Sequence, residues 1–190
     1  MNLKTPCLAL ISLAMMALPA KASTISLNLA SPVNAGSTFD VAVQVNNLFS
    51  GRTPDDSLLA YGFNVGIGNS SIFHYLGETA GPLFDALPIF GSNPMVAGIA
   101  TNLSGIGPSD VSGPVTLAIL HFSALTSGTT SISVTSDSAD PNQGLVYFDL
   151  PYGSINGSIN VTAAVPEPST LLLLASAIGG SFVFRRKFSC

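Results

Sequence analysis

The sequence predicts an all-β protein, a β-sandwich of about eight or nine short strands set between two terminal segments of a different kind. Three observations carry this. Apolar and polar residues alternate with period two through most of the middle of the chain. Clusters of Gly, Pro, Asn, Asp and Ser separate the alternating runs. Outside the termini no stretch carries a 3.6-residue apolar stripe.

The first segment, Met1 to Ala22, reads as a secretory signal peptide. Lys4 and the α-amino group supply a short positive region, and Leu8 to Leu18 an apolar core too short to span a bilayer. Pro19 breaks that helix, and Ala20 and Ala22 place small residues at the two positions a signal peptidase reads, with Ser23 next in line. Cys7 precedes the apolar core, which argues against a lipoprotein signal.

The middle segment, residues 23–164, is the folded domain. Ile25, Leu27 and Leu29 alternate with Ser26 and Asn28, and Phe39, Val41, Val43 and Val45 with Asp40, Ala42, Gln44 and Asn46. Tyr61, Phe63, Val65 and Ile67 follow the same rule, as do Ile132 with Val134 and Ile159 with Val161. Val115 to Phe122 is almost continuously apolar, as a strand covered on both faces would be. Turn signals punctuate the runs at Asn34–Gly36, Thr53–Asp56, Gly68–Ser70, Gly107–Asp110, Ser127–Gly128 and Tyr152–Gly153. Gly81 to Gly98, with Leu83, Phe84, Leu87, Ile89 and Phe90, reads as a short helix or an apolar loop over the core.

Charge is scarce and unevenly placed. Only 8% of the 190 residues are charged. Between Ser23 and Val165 there are nine acids and one base, Arg52, which gives about −8 and disfavours nucleic acid and anionic lipid as ligands. Both cysteines, Cys7 and Cys190, lie in the termini, so the domain has no thiol for catalysis, metal ligation or a disulfide. A domain of about 140 residues can bury enough surface to fold without a staple or a cofactor.

The third segment, residues 165–190, has three parts. Pro166, Glu167 and Pro168 end any strand, because proline cannot donate to a ladder. Leu171 to Phe184 then supply an apolar span, followed by the basic cluster Arg185, Arg186 and Lys187. Fourteen helical residues reach about 21 Å, short of the roughly 30 Å hydrocarbon layer. Ser169, Thr170 and snorkelling arginines close part of the gap. The basic cluster would hold the C-terminus in the cytoplasm.

That order resembles the PEP-CTERM sorting signal, from Val165 to Lys187, with Phe188–Cys190 extending beyond it. The resemblance implies recognition by an exosortase in the envelope of a Gram-negative bacterium. It further implies removal of the tail and passage to the cell surface or extracellular matrix. An ordinary C-terminal membrane anchor is the alternative.

The order of strands resembles a cohesin-type, jelly-roll sandwich related to carbohydrate-binding modules. The residues concerned are Gly36–Val45, Leu59–Ile67 with Ile72–Gly77, Val115–Phe122 and Gly128–Val134. Cohesins proper bind dockerin modules through one sheet face. No residue here matches that face, so the resemblance implies the fold and not the partner.

Chemistry is sparse. The chain has no nucleophile elbow, phosphate loop or paired metal-ligand motif. His74 and His121 fall inside strands, where packing is their ordinary role and a shared metal the alternative. The best candidate site is Asp137–Gly144, whose Asp137, Asp140 and Asn142 offer hard oxygens suited to Ca²⁺. A solvated turn is the competing reading of that loop. Asn69, Asn102, Asn156 and Asn160 each open an Asn-x-Ser/Thr triplet, as chance allows in this composition.

The sequence therefore describes an exported, non-enzymatic surface or matrix protein. Its expected partners are signal peptidase, an exosortase-like protease, the inner membrane transiently, and extracellular polysaccharide or another surface protein. A secreted hydrolase acting on such a polymer is the rival, and it would need acids paired across a concave face. Scattered aspartates and the absence of Trp weigh against both catalysis and a strong sugar platform. Signal peptidase is expected to cut after Ala22. Amino-terminal sequencing of the exported protein should begin at Ser23, and a chain still starting at Met1 would contradict this.

Overall fold

The computed structural model describes residues 23–87, 95–149 and 152–165. Ala20 and Ala22, the motif Pro166, Glu167 and Pro168, and the cluster Arg185, Arg186 and Lys187 lie outside the described residues. In chain order the strands are β1 (Thr24–Leu29), β2 (Val33–Asn34), β3 (Thr38–Asn46), β4 (Leu58–Ile67), β5 (Phe73–Ala80) and β6 (Phe84–Ala86). They continue with β7 (Met95–Ala100), β8 (Val115–Ala124), β9 (Gly128–Thr135), β10 (Gly144–Tyr147) and β11 (Asn156–Ala164). One short 3₁₀ turn covers Pro108–Asp110.

Two sheets face each other. The first runs β1-β3-β8-β5; the second runs β2-β11-β9-β4-β7-β6, with β10 also paired to β4. The β2–β11 pair is parallel and the others are antiparallel. The all-β sandwich is as the alternation predicts. Eleven described strands replace the expected eight or nine because β2, β6 and β10 have two to four residues, too few to show a period.

Within the Gly81–Gly98 region the described residues 84–86 and 95–98 are strands of the second sheet and not a helix, while Ile89 and Phe90 lie outside the described residues. β6 and β7 pair there as a hairpin, with Phe84 opposite Ala100 and Ala86 opposite Gly98. The signal was hidden by small residues. A Cβ on Gly98 would lie 2.5 Å from the Tyr61 ring, so glycine is needed where that ring fills the core.

Core packing follows the alternation. Val41, Val43 and Val45 of β3 and Leu120 and Phe122 of β8 are buried against Tyr61, Phe63, Ile132 and Val134 of the other sheet. Phe39 packs edge-on to Phe73, centroids 4.9 Å apart, and stacks on Phe122 at 5.4 Å.

The apolar run of β8 has a different cause from the one its composition suggests. Val43 pairs with Ala118 and Gln44 with Thr116, so Leu117 is an extra, bulged residue. The bulge shifts the phase, and Val115 and Leu117 before it point to the same core as Leu120, Phe122 and Ala124 after it. A strict two-residue period would have turned one of these sets to solvent. β8 is thus buried mainly on one face, while Thr116, His121 and Ser123 remain half-exposed on the other. A second bulge in the β4–β10 ladder lets both Leu58 and Tyr61 face inward.

The domain's one base is built into the structure. Arg52, in the β3–β4 connection, donates from Nη1 to Asp56 Oδ2 at 2.9 Å and to the Asp149 carbonyl at 2.9 Å. Its guanidinium lies 3.5 Å over the Tyr147 ring. Asp56 is 1% exposed, and its Oδ1 accepts the backbone N–H groups of Ser57 (2.8 Å) and Asp149 (3.1 Å). Tyr147 in turn donates to the Leu48 carbonyl at 2.6 Å. A buried carboxylate is tolerable only when paired and hydrogen-bonded in this way. Arg52→Ala should therefore cost about 3–5 kcal/mol, because it strands the Asp56 charge. Chemical denaturation measures this, and a loss below about 1 kcal/mol would mean that the pair does not hold the connection.

Candidate functional site

The Asp137–Gly144 loop forms one wall of a groove. β9 ends at Thr135, and Ser136 begins a link to the last connection: its N–H donates to the Ile155 carbonyl, and its Oγ accepts the Ile155 N–H, both at 2.8 Å. Across the groove Leu145 and Gly153 exchange backbone bonds of 2.6 and 2.9 Å. Gly144 makes this approach with φ +102°, and a Cβ there would lie 2.5 Å from the Gly153 carbonyl oxygen. The loop also lies over the outer face of β4. A Cβ on Gly62 would run into the Asn142 carbonyl, so the glycine at this position of β4 makes room for the loop.

Gln143 holds the loop closed. Its Oε1 accepts from Asn64 Nδ2 at 3.0 Å and from the Asp137 N–H at 2.9 Å, while its Nε2 donates to Asp140 Oδ2 at 3.1 Å. Asp137 Oδ1 accepts the Ala139 N–H, and Asp140 Oδ1 the Asn142 N–H, each at 2.9 Å. These are Asx turns, the local chemistry that places Asp and Asn in such connections. The Asn142 N–H and the Gln143 amide hold the Asp140 carboxyl below its ordinary range. The bonds are therefore complete above the ordinary carboxylate range and are lost as pH falls through the lowered value.

The structure thus brings Asp137, Asp140 and Asn142 into one turn, with both carboxylates engaged by the loop's own N–H groups. Among the described residues no group of three or more His, Cys, Asp or Glu could hold a metal ion. The register sets His74 opposite Ser123, and both ring nitrogens of His121 are engaged elsewhere, by Asp40 and Thr79.

The groove has a volume of about 490 Å³ and is lined by Ser136, Ser138, Asp140, Gln143, Tyr152 and Ser154, among others. Tyr152 is 42% exposed and offers an aromatic edge beside a carboxylate, an amide and three hydroxyls. Sequence reasoning singled out the loop but not Tyr152 or Ser154, which join it only through the Ser136–Ile155 and Leu145–Gly153 bonds. The Tyr152–Gly153 turn signal was the only local hint of them.

A second polar group escaped sequence reading. Asp40 Oδ1 lies 2.7 Å from His121 Nδ1, and His121 Nε2 lies 2.8 Å from Thr79 Oγ1. The order copies an acyl-transfer triad. These side chains sit on the outer face of β3, β8 and β5, where Asp40 is directly opposite His121. None of the three lines the groove. Both contacts are exposed to solvent on the open face of the sheet, and the arrangement reads as a cross-strand polar ladder.

Thermal melting of the protein with and without a chelator tests the loop. An unmoved midpoint is expected, since the carboxylates are satisfied within the turn. A fall of several degrees with chelator would make Asp137, Asp140 and Asn142 a structural Ca²⁺ site.

Comparison with protein families finds the PEP-CTERM protein-sorting motif at residues 164–187. No curated protein matches the chain. Among solved structures, the cohesin module of the family 33 glycoside hydrolase from Clostridium perfringens is similar at 11% identity and TM-score 0.55. That match covers 76% of this chain and 98% of the module. The second type II cohesin module of the cellulosomal adaptor ScaA scaffoldin from Acetivibrio cellulolyticus is similar at 15% identity and TM-score 0.50, covering 76% and 98%. At such identities the likeness is one of fold. The chain carries a PEP-CTERM protein-sorting motif at residues 164–187, the mark of an exported protein sorted by an exosortase, with a cohesin-like β-sandwich ahead of it.

Proposed function

We propose that residues 1–22 are removed as a signal peptide, that residues 23–164 form a non-catalytic binding module, and that residues 165–190 are a temporary anchor cut by an exosortase-like protease. The released domain goes to the cell surface or extracellular matrix. The observation that carries this reading is the sorting motif at 164–187, directly behind the last strand of the sandwich.

The groove beside Tyr152 is the module's binding site in this reading, and extracellular polysaccharide is its ligand. Its hydroxyls, its amide and the single exposed ring suit a neutral polyhydroxylated chain. Another surface protein is the second partner class, favoured by the cohesin-like fold. Catalysis on the polymer is disfavoured, because glycoside hydrolysis uses two carboxylates flanking the bond, and Asp140 is the only acid lining this groove.

Sorting is tested in a host that has the processing enzyme. Replacing Pro166, Glu167 and Pro168 with alanine should leave uncut protein in the membrane. Neutral replacements of Arg185, Arg186 and Lys187 should let uncut precursor escape, since the positive stop is gone. The readout is intact mass in each cell fraction. An alanine variant shortened and released like the parent would reduce the tail to a simple anchor.

A further inference from the structure

The two ends of the described chain leave the sandwich at opposite poles. Thr24 pairs with Asn46, at the end of β3. Ser23 Oγ donates to the Asn47 and Leu48 carbonyls, so the N-terminal end lies beside the β3–β4 connection. At the other pole Ala163 pairs with Gly128, and the Ala35 N–H donates to the Ala164 carbonyl at 2.9 Å. The Gly36 N–H donates to Ala124, and the Leu125 N–H to Ile72. The C-terminal pole is therefore built from the β2–β3, β4–β5 and β8–β9 turns around Val165.

Charge follows the same axis. Segments 23–39, 57–77, 111–136 and 150–166 contain no Asp, Glu, Lys or Arg. These segments supply all of the C-terminal pole's turns. Asp55, Asp56 and Asp149 cluster at the opposite pole, and Asp137 and Asp140 lie on the groove loop. Among the described residues the acid nearest the C-terminal pole is Asp40, and it is held by His121. That pole instead shows Ser70, Ser71, Thr126 and Ser127 with the exposed apolar side chains of Leu125 and Val165.

The tether is short. The Ala164 carbonyl still belongs to the sheet, and residues 165–170 can span at most about 21 Å before the apolar segment begins at Leu171. A domain on so short a leash must touch the surface that holds its tail. A phospholipid surface of negative potential repels carboxylates and accepts a neutral, hydroxyl-rich face with a few apolar side chains.

We propose that the C-terminal pole is a membrane-apposed surface: until the tail is cut, the domain stands with Leu125, Val165 and their Ser/Thr rim against the phospholipid headgroups. The acidic pole and the β3–β4 connection point away. This rests on the reading of residues 165–190 as a membrane-inserted tail.

The test uses the chain from Ser23 to Cys190, the form left once residues 1–22 are removed, with Cys190 changed to Ser and reconstituted in phosphatidylethanolamine–phosphatidylglycerol vesicles that carry a headgroup acceptor dye. A donor is placed by Ser127→Cys or by Asp55→Cys. The protein should float with the vesicles, and energy transfer should be at least threefold more efficient from position 127 than from 55. Ser70→Asp with Ser71→Asp should shrink that ratio in these vesicles and leave it unchanged in neutral phosphatidylcholine. Flotation with equal transfer from both positions would overturn the orientation and leave the tail reading standing. A ratio unaffected by the added acids would overturn the electrostatic argument. Failure to float would overturn both the tail reading and the orientation.

Discussion

Everything in the first sheet depends on where β8 changes phase. β8 is the only strand that touches both β3 and β5, so its register fixes which side chains of three strands reach the core. Leu117 supplies one residue too many for a regular ladder, and the ladder yields at that point rather than the packing. Val115 and Leu117 on one side, and Leu120, Phe122 and Ala124 on the other, are all removed from water. Burial of a Leu or Phe side chain is worth about 1.5–3 kcal/mol, more than a locally disrupted pair of backbone bonds. The inner face is thus chosen by hydrophobic burial, and the backbone irregularity follows from it. The Leu76 bulge in β5 shows the opposite choice, leaving an exposed leucine beside Gly77 at φ +133°.

Polar residues do structural work that the low charge content conceals. The outer face of β9 and β11 pairs Ser131 with Asn160, Ser133 with Ser158 and Thr129 with Thr162, the last through hydroxyls 2.8 Å apart. Such a face stays hydrated without ionising. The single guanidinium among the described residues is used where a hydroxyl would not serve, on a carboxylate 1% exposed. A connection of eleven residues, 47–57, is ordered around that pair and closed by Tyr147 and Phe49, whose rings meet edge-on at 6.0 Å.

Strands with a clean period, β3 and β9 above all, were legible from composition alone, since each has one wet and one dry face. The sandwich follows from them. The β6–β7 hairpin was not legible, because Ala97 and Gly98 carry no apolar signal; Gly98 is small because Tyr61 is large. Half of the groove was legible. Asp137, Asp140 and Asn142 announce a turn by residue type, but Tyr152 and Ser154 arrive through the Leu145–Gly153 and Ser136–Ile155 bonds, a pairing that no turn signal announces. Arg52 stood out as the only base, yet its partner Asp56 looked like any turn aspartate. The Asp40–His121–Thr79 ladder depends on a three-strand register that no local window contains.

The entry of the chain at one pole and its exit at the other has a mechanical consequence. Tension between Ser23 and Val165 would run along β1 and β11. Both strands are held by antiparallel ladders whose hydrogen bonds lie across the direction of pull. Eight residue pairs of β11 with β9, and six of β1 with β3, would have to slip together. They could not be peeled one at a time. A domain loaded from its ends meets the geometry that resists shear, so its lifetime under force is set by the barrier to sliding a whole strand.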